Sequence, residues 1–408
     1  MLQSFINKFY TWLMSIFREK LFVISLSLFF ILNISIYLFI LTFNNIIPFN
    51  KFNYIYNAHH YFEDGRIKGE QFNILRALGQ YDAQWYLKIA SDGYPTKPKV
   101  ADIGNKKVME GLSYAFFPLY PLTLSSFNLL FKNTELSAFI VSNILLLLNF
   151  ASLYFVISKL FSKKLAIKTA FLIFTFPFAI FFRSYFAEGL QLFLLIWFGY
   201  FLVKKRWLRS ALLLSLLNLT NGNTILINLI YIYYFWKEKK GKYGLDKRLF
   251  LILSVISVPF LFWVIFNYFN TGNPLYFYTI HNQWFKSYIP ILPLFWNMAL
   301  LVLFPFLSLH SFHSSMIDLL TVILILVFLF KSKKFLGEKL WWISFLLWLT
   351  PLLVKDTLAY TRLEIISFPI AIYLAKSLNN IGYLVVLILF TTGLFFTSIL
   401  FVNWYWLG

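Results

Sequence analysis

The stretch KLFVISLSLFFILNISIYLFILT, residues 20–42, decides the fold class of this chain. It carries one charged side chain, Lys20, at its first position, and it is otherwise dominated by large apolar residues. A helix needs about 20 such residues to cross the hydrocarbon core of a bilayer. Comparable apolar runs recur at 135–158, 165–182, 185–203, 249–267, 314–330, 340–354, 363–377 and 381–402. The repetition predicts an all-α, polytopic membrane protein.

The composition supports the same class. The 408 residues are 60% hydrophobic and 13% charged, with a mean hydropathy of +0.71. A soluble domain of this size needs a more polar exterior than this composition can supply. The absence of cysteine excludes disulfides, thiolate metal sites and a cysteine nucleophile.

The net charge of +20 is a second feature that needs a cause, and nucleic-acid binding is one candidate. The basic residues, however, cluster at the ends of apolar runs, as in 204–209, 237–248 and 331–334. Such clusters orient membrane helices with the positive ends in the cytoplasm. We therefore expect membrane lipids as partners and no nucleic acid.

Placing each basic cluster on the cytoplasmic side of the membrane gives a topology. About eleven crossings place the N-terminus inside and the C-terminus outside, with the whole chain forming one transmembrane domain. Residues 1–19 are expected to form an interfacial helix. Residues 43–113 then form a long first extracytoplasmic loop with short amphipathic helices, and residues 268–293 form a second outer loop. This number of crossings requires that residues 116–131, which contain Pro118 and Pro121, do not cross the membrane.

Residues 207–236 are predicted to be a split span. Basic clusters flank both ends, and the polar run Asn218 to Asn223 interrupts the middle. Two short segments that meet at such a break return the chain to the side from which it came. Irregular backbone at membrane depth is tolerated only against protein or a water-filled cavity.

The most informative polar stretch is Tyr81 to Tyr94, YDAQWYLKIASDGY, within the first outer loop. Asp82, Trp85 and Tyr86 are spaced so that they share one face of a helix. A carboxylate among aromatic rings can accept a proton from a hydroxyl nucleophile, which makes Asp82 a candidate general base. The alternative is an aspartate that caps or ion-pairs a loop helix, with Trp85 and Tyr86 as interfacial residues.

Three charged residues beside apolar runs are further candidates: Arg183, Glu188 and Arg362. Charges near membrane depth are costly and are usually functional or paired. The forked guanidinium of arginine suits a phosphate, so Arg183 and Arg362 are candidate phosphate ligands. The alternatives are an Arg183–Glu188 pair that holds a hairpin, and ordinary snorkelling of Arg362 to the interface.

The second outer loop begins with the turn Gly272-Asn273-Pro274 and then gathers polar and aromatic residues. His281, Gln283 and Trp284 suit contacts to a sugar, although any interfacial loop has similar residues. Asp92 is a further candidate for substrate contact. No cofactor is predicted; a divalent metal near Asp92, Glu63 and Asp64 is an alternative that is not favoured. The pairs His59-His60 and His310/His313 lack a suitable carboxylate spacing.

Several motifs occur in an order that resembles the PIG-V-like mannosyltransferases and their prokaryotic relatives. They are Tyr81 to Tyr86 with Asp92-Gly93-Tyr94; Phe116 to Leu122; Ser184-Tyr185 with Glu188; Thr271 to Leu275 with Gln283-Trp284; Arg362 with Phe368-Pro369; and Phe401 to Trp406. One departure is Thr220-Asn221-Gly222, where these relatives tend to carry a basic residue at the break in the split span.

The resemblance implies a GT-C glycosyltransferase fold. It further implies transfer of a hexose, most readily mannose, from a polyprenyl-phosphate donor to an acceptor hydroxyl on a glycan, lipid or protein. Asp82 would be the base, Arg362 and Arg183 would bind the donor phosphate, and Trp85, Tyr86, Glu188, His281, Gln283, Trp284 and Asp92 would contact substrate. The alternatives are a transporter or flippase of a lipid-linked glycan, and a non-catalytic subunit of a glycan-assembly complex.

Overall fold

In the computed structural model, residues 19–57, 61–98, 100–103, 106–238, 247–284, 316–353 and 359–407 are described. The predicted interfacial helix 1–19 and the two histidine pairs lie almost wholly outside them. The described chain is helical apart from one short β-hairpin, which the sequence analysis did not predict. The α-helices are α1 Lys20–Phe43, α2 Lys51–Asn57, α3 Ile74–Ala77, α4 Ala83–Asp92, α5 Leu119–Phe131, α6 Thr134–Leu160, α7 Lys163–Thr175, α8 Glu188–Val203, α9 Trp207–Asn218, α10 Ile227–Glu238, α11 Lys247–Thr271, α12 Tyr276–Trp284, α13 Met316–Leu352, α14 Tyr360–Leu363, α15 Phe368–Ser377 and α16 Asn380–Val402.

Four of these helices, α1, α6, α11 and α16, are long and apolar enough to cross a membrane. Much of their apolar surface faces away from the protein: on α1, Leu28, Ile31 and Leu38 are each more than half exposed. A soluble protein does not leave such continuous apolar faces open to water. The chain is therefore a helical membrane protein, as predicted.

The shorter apolar helices pack around this frame. α6 and α8 lie side by side, α7 packs on α6 and α15, and α13 packs on α15. The core between them is formed by large buried side chains such as Phe150, Phe174 and Phe198. α5 has 13 residues, which at 1.5 Å per residue is too short to cross a bilayer alone.

Two predicted spans differ from the observed helices. The run 165–182 is divided into α7 and a 3-10 turn, Pro177–Phe182, because Pro177 lacks the amide proton that the next helical turn needs. By contrast, the runs 314–330 and 340–354 are two antiparallel helical segments within α13, as predicted: the chain reverses at Gly337, where φ is 74°, and Nε1 of Trp348 donates to the carbonyl of Val322 at 3.0 Å. The run 363–377 becomes helical only at Phe368, because a 3-10 turn, Glu364–Ile366, precedes α15.

The split span has the predicted geometry. α9 ends at Asn218, a 3-10 turn covers Gly222–Thr224, and α10 begins at Ile227. The side-chain amides of Asn218 and Asn228 donate to each other, at 3.1 and 3.0 Å. Lys205, just before α9, binds Glu238 at the end of α10 at 2.7 Å. Both outer ends of the split span therefore lie on the same side of the molecule.

Basic residues from distant segments meet at this same end, which we call the basic end. Lys339 donates to the carbonyl of Leu202 at 2.7 Å, and Glu338 lies 3.8 Å from Lys237. Phe161, near the start of α7, stacks on Phe335. The loops at the other helix ends carry Asp82 and Arg362.

The first outer loop is a folded layer. Its helices are α2, α3 and α4, and its hairpin pairs β1 Val100–Ile103 with β2 Lys106–Met109 in antiparallel register. The predicted amphipathic segment 72–90 is α3 and α4. Tyr94 and Tyr114 pack on Trp263 of α11, with ring centroids 5.0 and 5.9 Å from it. The amide of Lys97 also donates to the carbonyl of Asn270 at 2.8 Å, so the two predicted outer loops are in contact.

Candidate functional site

Asp82 immediately precedes α4, and its backbone is placed by a turn that L-residues rarely adopt. Tyr81 has a φ of 52°, in the left-handed region that is strained for a bulky side chain. Asp82 occupies the N-cap position but its side chain caps no amide. The capping role that the sequence left open is therefore wrong, and the carboxylate is directed elsewhere.

The carboxylate binds Arg362. NH1 of Arg362 donates to Oδ2 of Asp82 at 3.1 Å, across 280 positions in the chain. Nε of the same guanidinium lies 3.1 Å from Oε1 of Glu188. One arginine thus contacts two carboxylates, and the three residues, Asp82, Glu188 and Arg362, form what we call the charged triad.

The members of the triad differ in exposure. The side chain of Glu188 is 4% exposed and that of Arg362 is 12% exposed, whereas that of Asp82 is 25% exposed. Glu188 is the first residue of α8, where the helix dipole favours a negative charge. Glu188 is therefore the buried anchor, and Asp82 is the carboxylate that a bound molecule can reach.

Arg362 remains charged in this setting. Burial acts to lower its pKa, but the nearby carboxylates of Glu188 and Asp82 raise the pKa above its ordinary value. The rings of Phe186 and Phe181 lie 5.2 and 5.3 Å from the guanidinium carbon and add cation–π attraction. Among the described residues NH1 is the nitrogen of Arg362 that makes a hydrogen bond, and the buried Nε makes none, so the guanidinium has donors left for a further anion.

A second polar network, which the sequence analysis did not predict, supports the strained turn. Asn53 donates to the hydroxyl of Tyr81 at 2.8 Å and to the carbonyl of Trp404 at 2.6 Å. Trp404 Nε1 donates to Asp64, which also binds Arg66. The conspicuous signal in the sequence was the C-terminal Asn403-Trp404-Tyr405-Trp406, whose polar and aromatic residues follow the last helix.

Trp85 and Tyr86 mainly pack inside the protein and expose little surface to a bound molecule. Trp85 is fully buried between Tyr61 and Phe116. Tyr86 is 6% exposed and packs edge-on against Phe116 and Tyr120. The structure does not place Trp85, which was predicted to contact substrate, where a bound molecule can reach it, because tertiary packing buries this face of α4. Tyr86 does adjoin the triad: burial raises its pKa well above the ordinary value, and the charges of Glu188 and Asp82 act in the same direction.

Arg183 has a structural role, contrary to the prediction that it binds phosphate. It is fully buried, and its guanidinium donates to Oδ1 of Asn33 at 2.9 Å and to the carbonyls of Ala179 and Phe174 at 2.9 and 3.3 Å. Each of its three nitrogens is occupied within the protein. The alternative pairing with Glu188 is also wrong, because Glu188 pairs with Arg362.

The remaining predicted contacts lie apart from the triad or outside the described side chains. Asp92 ends α4 and forms an exposed ion pair with Lys88 at 3.1 Å, so the structure does not bring it to Asp82. His281, Gln283 and Trp284 lie in α12, but their side chains are outside the described residues. The described part of the chain contains no cluster of three His, Asp or Glu residues that could hold a metal ion.

No family model, no curated protein and no solved structure matches this chain. The geometry of the charged triad is therefore the evidence from which a function is argued.

Proposed function

We propose that this protein is a membrane glycosyltransferase of the GT-C class, similar to the PIG-V-like mannosyltransferases. It transfers a hexose, with mannose as the first choice, from a polyprenyl-phosphate donor to an acceptor hydroxyl of a glycan, lipid or protein. The observation that carries the proposal is the contact between a reachable carboxylate, Asp82, and a guanidinium, that of Arg362, which keeps donors without a hydrogen-bond partner among the described residues. The two groups have the charges that a hydroxyl proton and a leaving phosphate require.

The reaction assigned to this site is a single displacement with inversion. Asp82 takes the proton of the acceptor hydroxyl as its oxygen forms a bond to the anomeric carbon. The bond from that carbon to the phosphate oxygen breaks, and the electron pair leaves with the polyprenyl phosphate. Arg362 stabilises the negative charge of the leaving phosphate.

Donor binding is proposed to reorganise the triad. In the present structure Arg362 holds Asp82, and an ion-paired carboxylate is a poorer proton acceptor than a free one. A donor phosphate offers the guanidinium a second partner with the same forked geometry. When Arg362 turns to the phosphate, it releases Asp82 toward the acceptor, while Glu188 keeps the arginine at the site.

The proposed topology places this chemistry on the extracytoplasmic side. In this proposal the four long helices, the shorter helices and the split span make about eleven crossings. The positive-inside rule assigns the basic end to the cytoplasm. Because the donor and the site then both lie at the outer membrane surface, the acceptor is a molecule accessible from that side.

The experiment compares Asp82→Asn with Asp92→Asn in proteoliposomes that contain radiolabelled polyprenyl-phosphate hexose. Asparagine is nearly isosteric with aspartate but cannot accept the proton. Transfer by Asp82→Asn should fall by about 10²–10⁴-fold. Asp92→Asn, which alters an acid of the same helix outside the triad, should retain nearly the full rate.

Equal transfer by the Asp82→Asn variant and the wild-type protein would remove Asp82 from the mechanism. Wild-type protein that moves the intact lipid-linked sugar between leaflets without transferring it would favour the transporter. If a glycan-assembly complex that needs this protein keeps its activity when the protein carries Asp82→Asn, the non-catalytic subunit is favoured.

A further inference from the structure

A cavity of about 280 Å³ lies beside the 3-10 turn Glu364–Ile366, among α7, α13, α15 and α16. Its walls are mostly apolar, with side chains such as Leu172, Phe176, Ile325, Phe328, Leu374 and Phe390. The volume is near the lower end of small-molecule sites, about 300–1,000 Å³. The charged triad does not line this cavity.

Three polar atoms beside this cavity have no hydrogen-bond partner among the described residues: both carboxyl oxygens of Glu364 and the hydroxyl oxygen of Ser367. Both residues line the cavity and are buried, with exposures of 7% and 5%. The Tyr360 hydroxyl interacts with the carboxyl of Glu364, but it donates its proton to the carbonyl of Trp348 at 3.1 Å, so it satisfies one carboxyl oxygen at most. Buried polar atoms are nearly always paired, so this cluster indicates a missing polar partner.

The charge state of Glu364 restricts that partner. It is the one titratable side chain among the lining residues. It is buried, and no lysine, arginine or histidine lines the cavity with it, so the uncharged form of the carboxyl is favoured in this apolar setting. A neutral carboxyl offers one hydrogen-bond donor and further acceptors, as a hydroxyl does.

Three kinds of head group can be compared on this basis. A phosphate or carboxylate head would bring a negative charge to a cavity whose lining holds no cation. An ammonium head would have to form a buried ion pair, whose desolvation cost can exceed the Coulombic gain. A hydroxyl both donates and accepts, so it matches the unpaired atoms without burying a charge.

The cavity also has an apolar mouth. Leu324 of α13 is 53% exposed, and Val386 and Phe390 of α16 are partly exposed. Neighbouring residues Val385 and Leu389 are about half exposed or more. These side chains give the opening between α13 and α16 an apolar rim that suits a hydrocarbon chain.

We propose that this cavity binds an aliphatic alcohol from the bilayer, with its hydroxyl at Glu364 and Ser367 and its hydrocarbon chain leaving between α13 and α16. The site is separate from the triad and does not depend on the proposed transferase activity.

The test uses purified full-length protein in lipid nanodiscs and hexadecanol that carries a photoreactive diazirine. Saturable labelling should map to peptides of α13, α15 and α16. Unlabelled hexadecanol should compete at least about tenfold better than hexadecane, hexadecyl phosphate or hexadecylamine. Glu364→Gln should bind within about threefold of wild type, because its amide still donates and accepts, whereas Glu364→Leu should bind about tenfold more weakly.

Glu338→Leu, at an exposed glutamate of the basic end, is the control and should leave labelling unchanged. Ala371→Phe fills the cavity and keeps Glu364, so it should abolish saturable labelling even if Glu364→Leu does not fold. Non-saturable labelling, hexadecylamine as the best competitor, or full labelling of Ala371→Phe would each overturn the proposal.

Discussion

Arg362 binds two carboxylates at once, and this sets the consequences of replacing it. Glu188 is 4% exposed, so loss of the arginine leaves a buried carboxylate without its cation. Removing one partner of such a buried pair typically costs about 3–5 kcal/mol. The triad is therefore important for stability as well as for the proposed chemistry, and the two contributions must be measured separately.

Arg362→Met and the double variant Arg362→Met/Glu188→Gln separate them. The single variant should lower the thermal unfolding midpoint in detergent. The double variant should recover much of that loss because no unpaired buried charge remains. Neither variant should transfer sugar at more than about 1% of the wild-type rate, since the phosphate ligand is absent from both. Recovery of transfer in the double variant would show that Arg362 serves stability alone.

At the residue scale, the sequence indicated which charged residues are important, but it did not indicate which residues they contact. Asp82 was predicted from its place among aromatic residues, and Glu188 and Arg362 because a charge beside an apolar run is costly. The contact between Asp82 and Arg362 spans 280 positions, a separation over which local spacing carries no information. For the same reason Trp85 was predicted to contact substrate, although Phe116 and Tyr61 cover it.

At the element scale, Arg183 joins the 3-10 turn Pro177–Phe182 to the middle of α1 through Asn33. A buried arginine needs acceptors for its donors, and an amide oxygen in a membrane helix provides one. This contact positions the segment before Glu188 without entering the triad.

Asn33→Leu should therefore destabilise the protein by about 1–3 kcal/mol, because Nε of Arg183 is left buried without an acceptor. Transfer per folded molecule should stay near the wild-type value. The measurement is thermal unfolding together with the transfer assay, and Asn143→Leu, at a partly buried amide on α6, is a comparison that leaves Arg183 untouched. A specific loss of transfer in folded Asn33→Leu protein would show that Arg183 contributes to the functional site.

Helix positions followed from the apolar runs, whereas helix interruptions did not. The break at Asn218 to Asn223 was visible because polar residues are concentrated there. The hairpin 100–109 lies in a polar loop with no alternating pattern strong enough to predict strands. α15 begins at Phe368, with Pro369 in its first turn, where the missing amide proton of proline costs no helical hydrogen bond.

At the scale of the whole molecule, the contacts divide the helix ends into two groups. Lys205, Glu238 and Lys339 meet at the basic end, and the triad lies in the loops at other helix ends. The sequence predicted this division from the clusters of Lys and Arg. Which end faces the cytoplasm is a proposal that rests on the positive-inside rule.

The chain has no cysteine, so single-cysteine variants report sidedness without background. Ser91→Cys, at an exposed position of α4, should react with a membrane-impermeant maleimide in intact cells. Lys204→Cys, exposed at the basic end, should react only after permeabilisation. The reverse pattern would invert the topology, and reaction of both in intact cells would contradict a two-sided arrangement.

The central claim is that Arg362 passes from Asp82 to the donor phosphate. A density map of the protein with a polyprenyl-phosphate hexose analogue bound tests it most directly. The account predicts that the phosphate lies within about 3 Å of the Arg362 guanidinium, that Glu188 keeps its contact, and that Asp82 is released and faces the anomeric carbon. A phosphate bound elsewhere, with the Arg362–Asp82 contact intact at 3.1 Å, would contradict the account.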